Sequence, residues 1–571
     1  MTRLQGQSIR DFTGGLNIRE NSFQLADNES PAMLNVFVDP RGGFFTREGW
    51  VRWNDDNIAG PWDPRNAMLH QYSDGTFAVY LTNDGKVWRA NSAGEFVDAA
   101  IPCSASPHLA DFAAWSNKVY IACGQTKASY WHDNATKQPL AIAGSGNWND
   151  NYTTPVGGVY PSAELTEAHG GYTFCGDVFE NFSGGGALRY PNRIRWSHPN
   201  APEDWAQQDY IDIQQGGGRI TALQSFTDHL MIFKDASVWA LYGYDSESWQ
   251  LVEVSRKSGT VSPTTVTTSE DSCYYYSPAG RSAVFVIQGG ARPESISEPI
   301  RLVMSQSVKV ENVWLSWVSN RLFVNMPWVP ERIVPATFQA RGASQRDTTT
   351  FVFDLFVKEG GAWEALKPAR GGLRSMFELP ASKVPFGVLA AAGTDHCVVQ
   401  LGANTQDATD KLNPARDPEP FVAYYTTNWK DGGTEELRKH WLRPRFVVRN
   451  PQQDMQWLVR GYRNYDNTNQ YRSWTMGITA GGQPFWRQNG ASDPDGFDWA
   501  PTDVPVNGNG TVNPPYANWA AQQDGSRIIR GQALGIARSI RLVFTPTPAY
   551  AGRGWGIDSM VLKHVDRRFT T

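Results

Sequence analysis

Acidic pairs are the first residues in this chain that could do chemistry. Carboxyls stand side by side at Glu203-Asp204 and at Glu435-Glu436. A glycosidase needs two carboxyls facing each other across a cleft, and neighbours on one strand cannot supply that. A turn after Pro202 is the plain reading of the first pair. The string DPDGFDW, Asp493 to Trp499, sets three aspartates around a glycine. It lacks the later bidentate Glu and the spacing of a full calcium loop, so a turn is the expectation there too. The nine histidines are scattered, with no His-x-x-x-His or His-Glu-x-x-His, which leaves a metalloenzyme without support.

Other strings fail in similar ways. TNDGKVW, Thr82 to Trp88, is near the Asp-box Ser-x-Asp-x-Gly-x-x-Trp, but Asp84 and Gly85 are adjacent and no other segment repeats the motif. A hairpin turn accounts for it. SGGGAL from Ser183 has no following Lys-Ser/Thr, and QQGGGRI from Gln214 runs into a strand, so both read as loops and not phosphate cradles. Gly-x-Ser-x-Gly is absent. Arg567-Arg568 is too small a cluster to argue for DNA, and the net charge of −5 gives no overall basic character. The expectation is a protein that is not an enzyme, with no catalytic, cofactor-binding or metal-ligating residue and no cofactor.

The elements that would have to position any site are hairpins. ITALQSFTDHLMIFKDASVWALYGY, Ile220 to Tyr244, holds an apolar strand (Leu230 to Phe233), a turn through Lys234 and Asp235, and a second strand (Val238 to Tyr242). Similar units recur from about 67 to 402, with first turns near 74, 117, 170, 228, 271, 320 and 394. Asp-Gly at 74 and 84 favours the tight turns of antiparallel neighbours. The shorter spacings fit a four-stranded blade, and the longer ones imply insertions near Ser183 and from Trp328 to Arg346. No copy can bury both faces alone, so the copies must stack. The expectation is all-β: a propeller of six or seven blades over 61–402.

Residues 1–60 form an N-terminal segment with one helix-start signal, Ser30 as cap and Pro31 at the first helical position. A polar linker occupies 403–420. Beyond it, WLRPRFVVR, MQWLVRGY and ARSIRLVF alternate apolar with polar residues, predicting a β-sandwich of jelly-roll type over 421–571. Twenty-three Trp and 21 Tyr are assigned mainly to core and blade packing. The cysteines, Cys103, Cys123, Cys175, Cys273 and Cys397, are single and read as thiols of a chain folded in a reducing cytosol. MTRLQGQSIRDFTGG lacks the apolar core of a secretory signal, and no apolar run is long enough to span a membrane as a helix.

Phe12 to Trp50 resembles the opening of phage tail proteins at Gly14 to Asn17, Asn28 to Ser30, Asn35, Gly42-Gly43 and Arg47 to Gly49. NRIRWSHPNAPEDW (Asn192 to Trp205), FTDHLMIFKDASVWAL, SRKSGTVSP, YYYSPAG and the ending GWGIDSMVLKHVDRRF (Gly554 to Phe569) are similar to the same group. The patches span most of the chain except about 328–440. The family they resemble is the nozzle, or tail tubular protein B, of short-tailed phages; related propeller proteins occur near the tail tips of long-tailed phages. The resemblance implies a structural virion protein, assembled in the host cytoplasm. It implies a six-fold homo-oligomeric ring beside adaptor and fibre proteins, with DNA passing through unbound during ejection. Two other readings stand beside it. One is a receptor-binding or host-range tail protein gripping glycan through Trp486, Trp499 and Trp519. The other is a propeller glycosidase or depolymerase, which requires two carboxyls across a central cleft.

Overall fold

The computed structural model describes residues 4–18, 25–54, 64–102, 110–124, 130–139, 162–180, 188–279, 282–289, 292–305, 310–327, 348–379, 383–390, 397–404, 409–449, 455–478, 484–487 and 526–566, with short breaks at 84, 134, 136, 359, 370, 413–416, 434–436, 467–468 and 549–552. Seven antiparallel sheets of four strands form the propeller. Their first strands are Asn66–Gln71, Asp111–Trp115, Ser162–His169, Ile220–Phe226, Val266–Thr268, Trp314–Val318 and Gly372–Glu378. Each of these packs on the next, and the last packs on the first, so the ring closes at seven. Closure is what removes the solvent-exposed flanks that each blade would otherwise carry.

The first turns do the local work that their residue types promise. In the third blade Gly170 and Gly171 take φ of 56° and 89°; in the sixth, Ser319 and Asn320 take 49° and 60°. Two consecutive positive φ values give the turn whose twist matches the flanking strands. The Asp74 turn is longer: Tyr72 N donates to Thr76 O at 2.8 Å, and the Asp74 carboxylate accepts the Thr76 amide at 2.9 Å. The seventh blade departs from the expected position. Its first turn lies between Gly372–Glu378 and Pro385–Ala390, and 394 falls in the next connection, outside the described residues. GLRSMFE has no clean alternation and its turn no Asp-Gly, so nothing in the sequence marks it.

The seventh blade's fourth strand is Gly49–Arg52, paired with Cys397–Asn404. Other strands of the N-terminal segment join the sandwich. Leu4–Ile9 and Phe44–Thr46 both pair with Gly556–Asp566, and Ala32–Leu34 pairs with Tyr424–Thr426. The helix expected at Ser30-Pro31 is instead two short strands, Glu29–Ser30 and Ala32–Leu34. The Ser30 hydroxyl donates to Thr426 O at 2.8 Å, so a partner 396 residues away takes the group that would have capped a helix. The stretch expected to be a linker carries its own hairpin, Thr409–Asp410 with Glu419–Pro420.

Among the described residues the two sandwich sheets have eight and six strands, counting those from the N-terminal segment. Met455–Arg463 alternates buried with part-exposed positions, as its sequence pattern requires. Trp441, Phe446, Trp457, Trp474 and Phe544 fill the space between the sheets, and Phe44 stacks on Tyr425 with ring centroids 4.0 Å apart. That core is continuous with Tyr276 of the fifth blade and Phe351 and Trp363 of the sixth. A strand-rich chain with four-residue Arg301–Met304 as its one α-helix among the described residues fits the Gly, Pro and aromatic content. Cys123, Cys175, Cys273 and Cys397 are buried and form no disulfide.

Close backbone approach sets one sharp expectation. A Cβ on Gly259 would sit 2.0 Å from Lys234 O, whereas one on Gly461 meets nothing nearer than 3.6 Å. Gly259→Ala should cost about 2–4 kcal/mol of stability, and Gly461→Ala should fall within about 1 kcal/mol of the parent. Urea unfolding followed by tryptophan fluorescence compares the two.

Candidate functional site

Two places concentrate groups that local strand structure does not explain: the central channel and the joint between the β units. At the channel, a cavity of about 320 Å³ is lined by Asn66, Met68, Asp111, Glu167, Gln224 and Pro263 among others. These residues come from the inner strands, or just before them, of five successive blades. Asp111 opens the second blade's inner strand, where its Oδ2 accepts Thr166 N of the third blade at 3.1 Å and its Oδ1 accepts Phe112 N at 3.1 Å. Glu167 follows Thr166 directly and accepts Ala168 N at 3.1 Å.

Burial pushes Asp111 up to about 7, against the lowering pull of the two amides and Asn66. Burial, and then the charge of Asp111, push Glu167 up to about 8. A carboxyl pair of this kind is partly protonated at neutral pH and could donate or accept a proton at a ligand in the cavity. Asp111 also clamps a seam. Neighbouring blades are tied in the same manner by Asn66 Nδ2 to Ala110 O (2.9 Å), Thr264 Oγ1 to Val313 O (3.3 Å), and Met376 N to Ser316 Oγ (3.0 Å).

The carboxylates singled out in the sequence do not gather here. Glu203 and Asp204 lie inside strand Ala201–Asp212 and not on a turn. Alternation sends them apart: Glu203 accepts Lys118 Nζ at 2.5 Å and Tyr120 OH at 3.1 Å, while Asp204 meets His198 Nδ1 at 3.0 Å. The Gln214–Ile220 loop is filled by protein. Lys234 Nζ donates to Ile213 O at 2.7 Å and Gln215 O at 2.8 Å, and the Asp235 carboxylate accepts Arg219 N at 3.0 Å. Asn83 and Lys86 face each other in the pairing of the first blade's second and third strands. Asp84, Glu435, Glu436, the 493–499 string, Trp499, Trp519, Cys103, Arg567 and Arg568 lie outside the described residues, as do the insertions at 183–187 and 328–347. Trp486 is on strand Pro484–Arg487.

NRIRWSHPNAPEDW forms a buried ion cluster in the third blade. Arg193 grips Asp212 with two bonds of 2.8 Å and reaches Glu180 at 3.0 Å; Arg195 donates to the other Glu180 oxygen. Arg193 is stacked between Tyr190 and Tyr210, 4.0 and 3.8 Å from their ring centroids. These arginine bonds lie inside the blade, so the cluster reads as packing of a long hairpin.

The joint gathers the residues of the Phe12–Trp50 pattern. Asn35, at φ 54°, donates its side-chain amide to Val422 O at 2.7 Å, and its Oδ1 accepts Arg47 Nε at 2.9 Å and Lys367 N at 2.8 Å. Arg47 forms a two-pronged pair with Asp410 at 2.8 and 2.6 Å. Asn17 N donates to Ser30 O at 2.9 Å and Asn17 Nδ2 to Glu29 at 2.7 Å. Gly42 has φ 104°, and a Cβ there would lie 2.1 Å from Arg10 O. At the same joint, Glu364 of the sixth blade accepts Val38 N at 2.7 Å, and burial pushes its carboxyl up to about 8. Sequence reasoning missed Asp111, Glu167 and Glu364, because none has an acidic neighbour or a motif around it. An acid at an otherwise apolar strand position is the signal that could have found them.

No protein-family model and no curated protein matches this chain. Among solved structures it is similar to the WD40 domain of Neurospora crassa Pan2, at 11% identity and a TM-score of 0.35, over 64% of this chain and 98% of that one.

The raised carboxyls fix a pH dependence. A carboxyl that holds its proton more tightly when folded adds stability below the ordinary carboxylate range, near pH 4. That contribution is lost as pH rises through about 7 for Asp111 and about 8 for Glu167 and Glu364. The melting temperature should therefore fall from pH 6 to pH 9. Asp111→Asn with Glu167→Gln should flatten that fall, and adding Glu364→Gln should flatten it further. Calorimetry across the range measures both slopes.

Proposed function

We propose that this chain is a structural, non-enzymatic virion protein of a bacteriophage tail, the nozzle subunit of a short-tailed phage. The observation that supports it is the use to which the Phe12–Trp50 pattern is put. Two residues of that pattern, Asn35 and Arg47, seat the N-terminal segment against both β units, while Asn17 and Gly42 shape the segment itself. A pattern spent on joining two rigid bodies suits an architectural subunit better than a catalyst. Six copies closing through heterologous contacts would make a ring. Its neighbours would be adaptor and fibre proteins, and it would assemble in the host cytoplasm.

The charge distribution suits a conduit. Antiparallel order within each blade puts the first and third turns on one face of the propeller. Asp74, Asp228, Asp245, Glu270 and Asp271 are exposed on those turns. Carboxylates at such a surface repel phosphate and would let DNA pass without sticking. Cryo-electron microscopy of the purified protein and of an intact particle tests the reading. A closed ring below the portal is expected; a stable monomer absent from any particle would overturn it.

A second reading, a propeller hydrolase acting on host polysaccharide, draws on Asp111 and Glu167 beside one cavity. It expects reducing ends released from capsule or lipopolysaccharide by the parent and lost in Glu167→Gln. No release by the parent removes it.

A further inference from the structure

We propose that the N-terminal segment is a strap by which the sandwich holds the propeller ring shut, so that opening the sandwich opens the seventh blade. The inference is independent of the tail assignment.

The closing strand is short, and one further bond, Trp53 N to Val398 O at 2.8 Å, continues it. Gly49–Arg52 has four residues, and its register with Cys397–Asn404 holds at Arg52–Val399 and Val51–Gln400, then breaks before Gly49–Asn404. Isolated pairings of this length are marginal in water. Its other side is held by the 409–411 segment: Arg52 N donates to Lys411 O at 2.9 Å and Lys411 N to Trp50 O at 2.8 Å. Only Arg47 and Glu48 separate it from Phe44–Thr46, a strand of the sandwich. Phe44 and Phe45 pair there with Ile557 and Gly556, at one end of the strand whose other end carries Leu4–Ile9. Two residues of chain leave no slack: at most about 3.6 Å per residue.

Release of Phe44–Thr46 therefore pulls Arg47 from Asp410 and frees Gly49–Arg52 from the ring. The reverse also follows, because Asp410 accepts Trp50 N at 3.0 Å and Ala369 N at 2.8 Å as well as Arg47. The seam between the sixth and seventh blades, the closing strand and the residue that follows sandwich strand Phe44–Thr46 meet on one carboxylate.

Native-state hydrogen exchange of the full chain, read by mass spectrometry at rising sub-denaturing urea, tests the strap. Peptides covering 4–9 and 398–400 should share one urea dependence. Met560→Ala, a cavity in the sandwich strand that carries Leu4–Ile9, should speed exchange in both by a similar factor, about tenfold or more. Ile232→Ala, a cavity in the fourth blade, should leave both near the parent rate. Faster exchange at 4–9 with no change at 398–400 would overturn the proposal. Equal loosening of both by Ile232→Ala would also overturn it, since the coupling would then belong to the whole chain. Should Met560→Ala fail to fold, the urea series on the parent decides alone: two distinct slopes refute the strap.

Discussion

Arg47 and its carboxylate are the constraint around which the two β units are arranged. The guanidinium has no exposure to speak of, and neither does Asp410. Taking both charges out of water costs several kcal/mol per ion, and only complete hydrogen bonding offsets that. Here it is close to complete. Nε reaches Asn35, Nη1 reaches Asp410 and Glu48 O, and Nη2 reaches Asp410 and Lys367 O. The planar group also lies between Trp50 and Phe421, 4.0 and 3.6 Å from their centroids. Burial lowers the Arg47 pKa and Asp410 pulls it back up. Lysine would supply a point charge without the fork or the stacking plane, so the position is specific to arginine.

Beyond its neighbours Glu48 and Trp50, the partners of that group come from four parts of the chain. Asn35 belongs to the N-terminal segment, Lys367 to the link between the sixth and seventh blades, Asp410 to the hairpin beyond the propeller and Phe421 to the start of the sandwich. A buried ion pair adds little net stability against an apolar substitute, but it tolerates few alternative arrangements. Two other buried charges follow the same placement, unlike the arginine cluster inside the third blade. Lys234 ties the third-to-fourth blade link to its own turn, and Lys430, buried in the sandwich, reaches Asp27 at 2.8 Å. The apolar core supplies cohesion everywhere, whereas these charges sit at seams and set which segment lies against which.

The sequence made this legible unevenly. Strand class and six of the seven first turns follow from local pattern, because a hairpin's partner is its own neighbour: Phe226 faces His229 and Val318 faces Arg321. The seventh blade could not be completed by that logic. Its last strand is nearly 350 residues from its partner, as Arg52 facing Val399 requires. The sandwich strands between Leu4 and Thr46 were hidden for the same reason, and the helix signal at Ser30-Pro31 yielded to a tertiary hydrogen bond. That Asp111 and Glu167 lie together was illegible, because proximity across a ring of blades leaves no spacing in one dimension.

These gaps share a cause that bears on how the fold works. Local pairs form without knowledge of the rest of the chain, so they can be read singly. Long-range pairs must cover their loop-closure cost with contacts that exist only once both partners are in place. Gly49–Arg52 has too few backbone bonds to do so alone. The sandwich strands before it, the Arg47 pocket and the shared aromatic core supply what it lacks. A seven-blade ring could have closed on a hairpin of its own. Closing on a strand that first passes through the sandwich makes ring integrity a property of both units, and in an assembly that strand is where a load on one would be felt by the other.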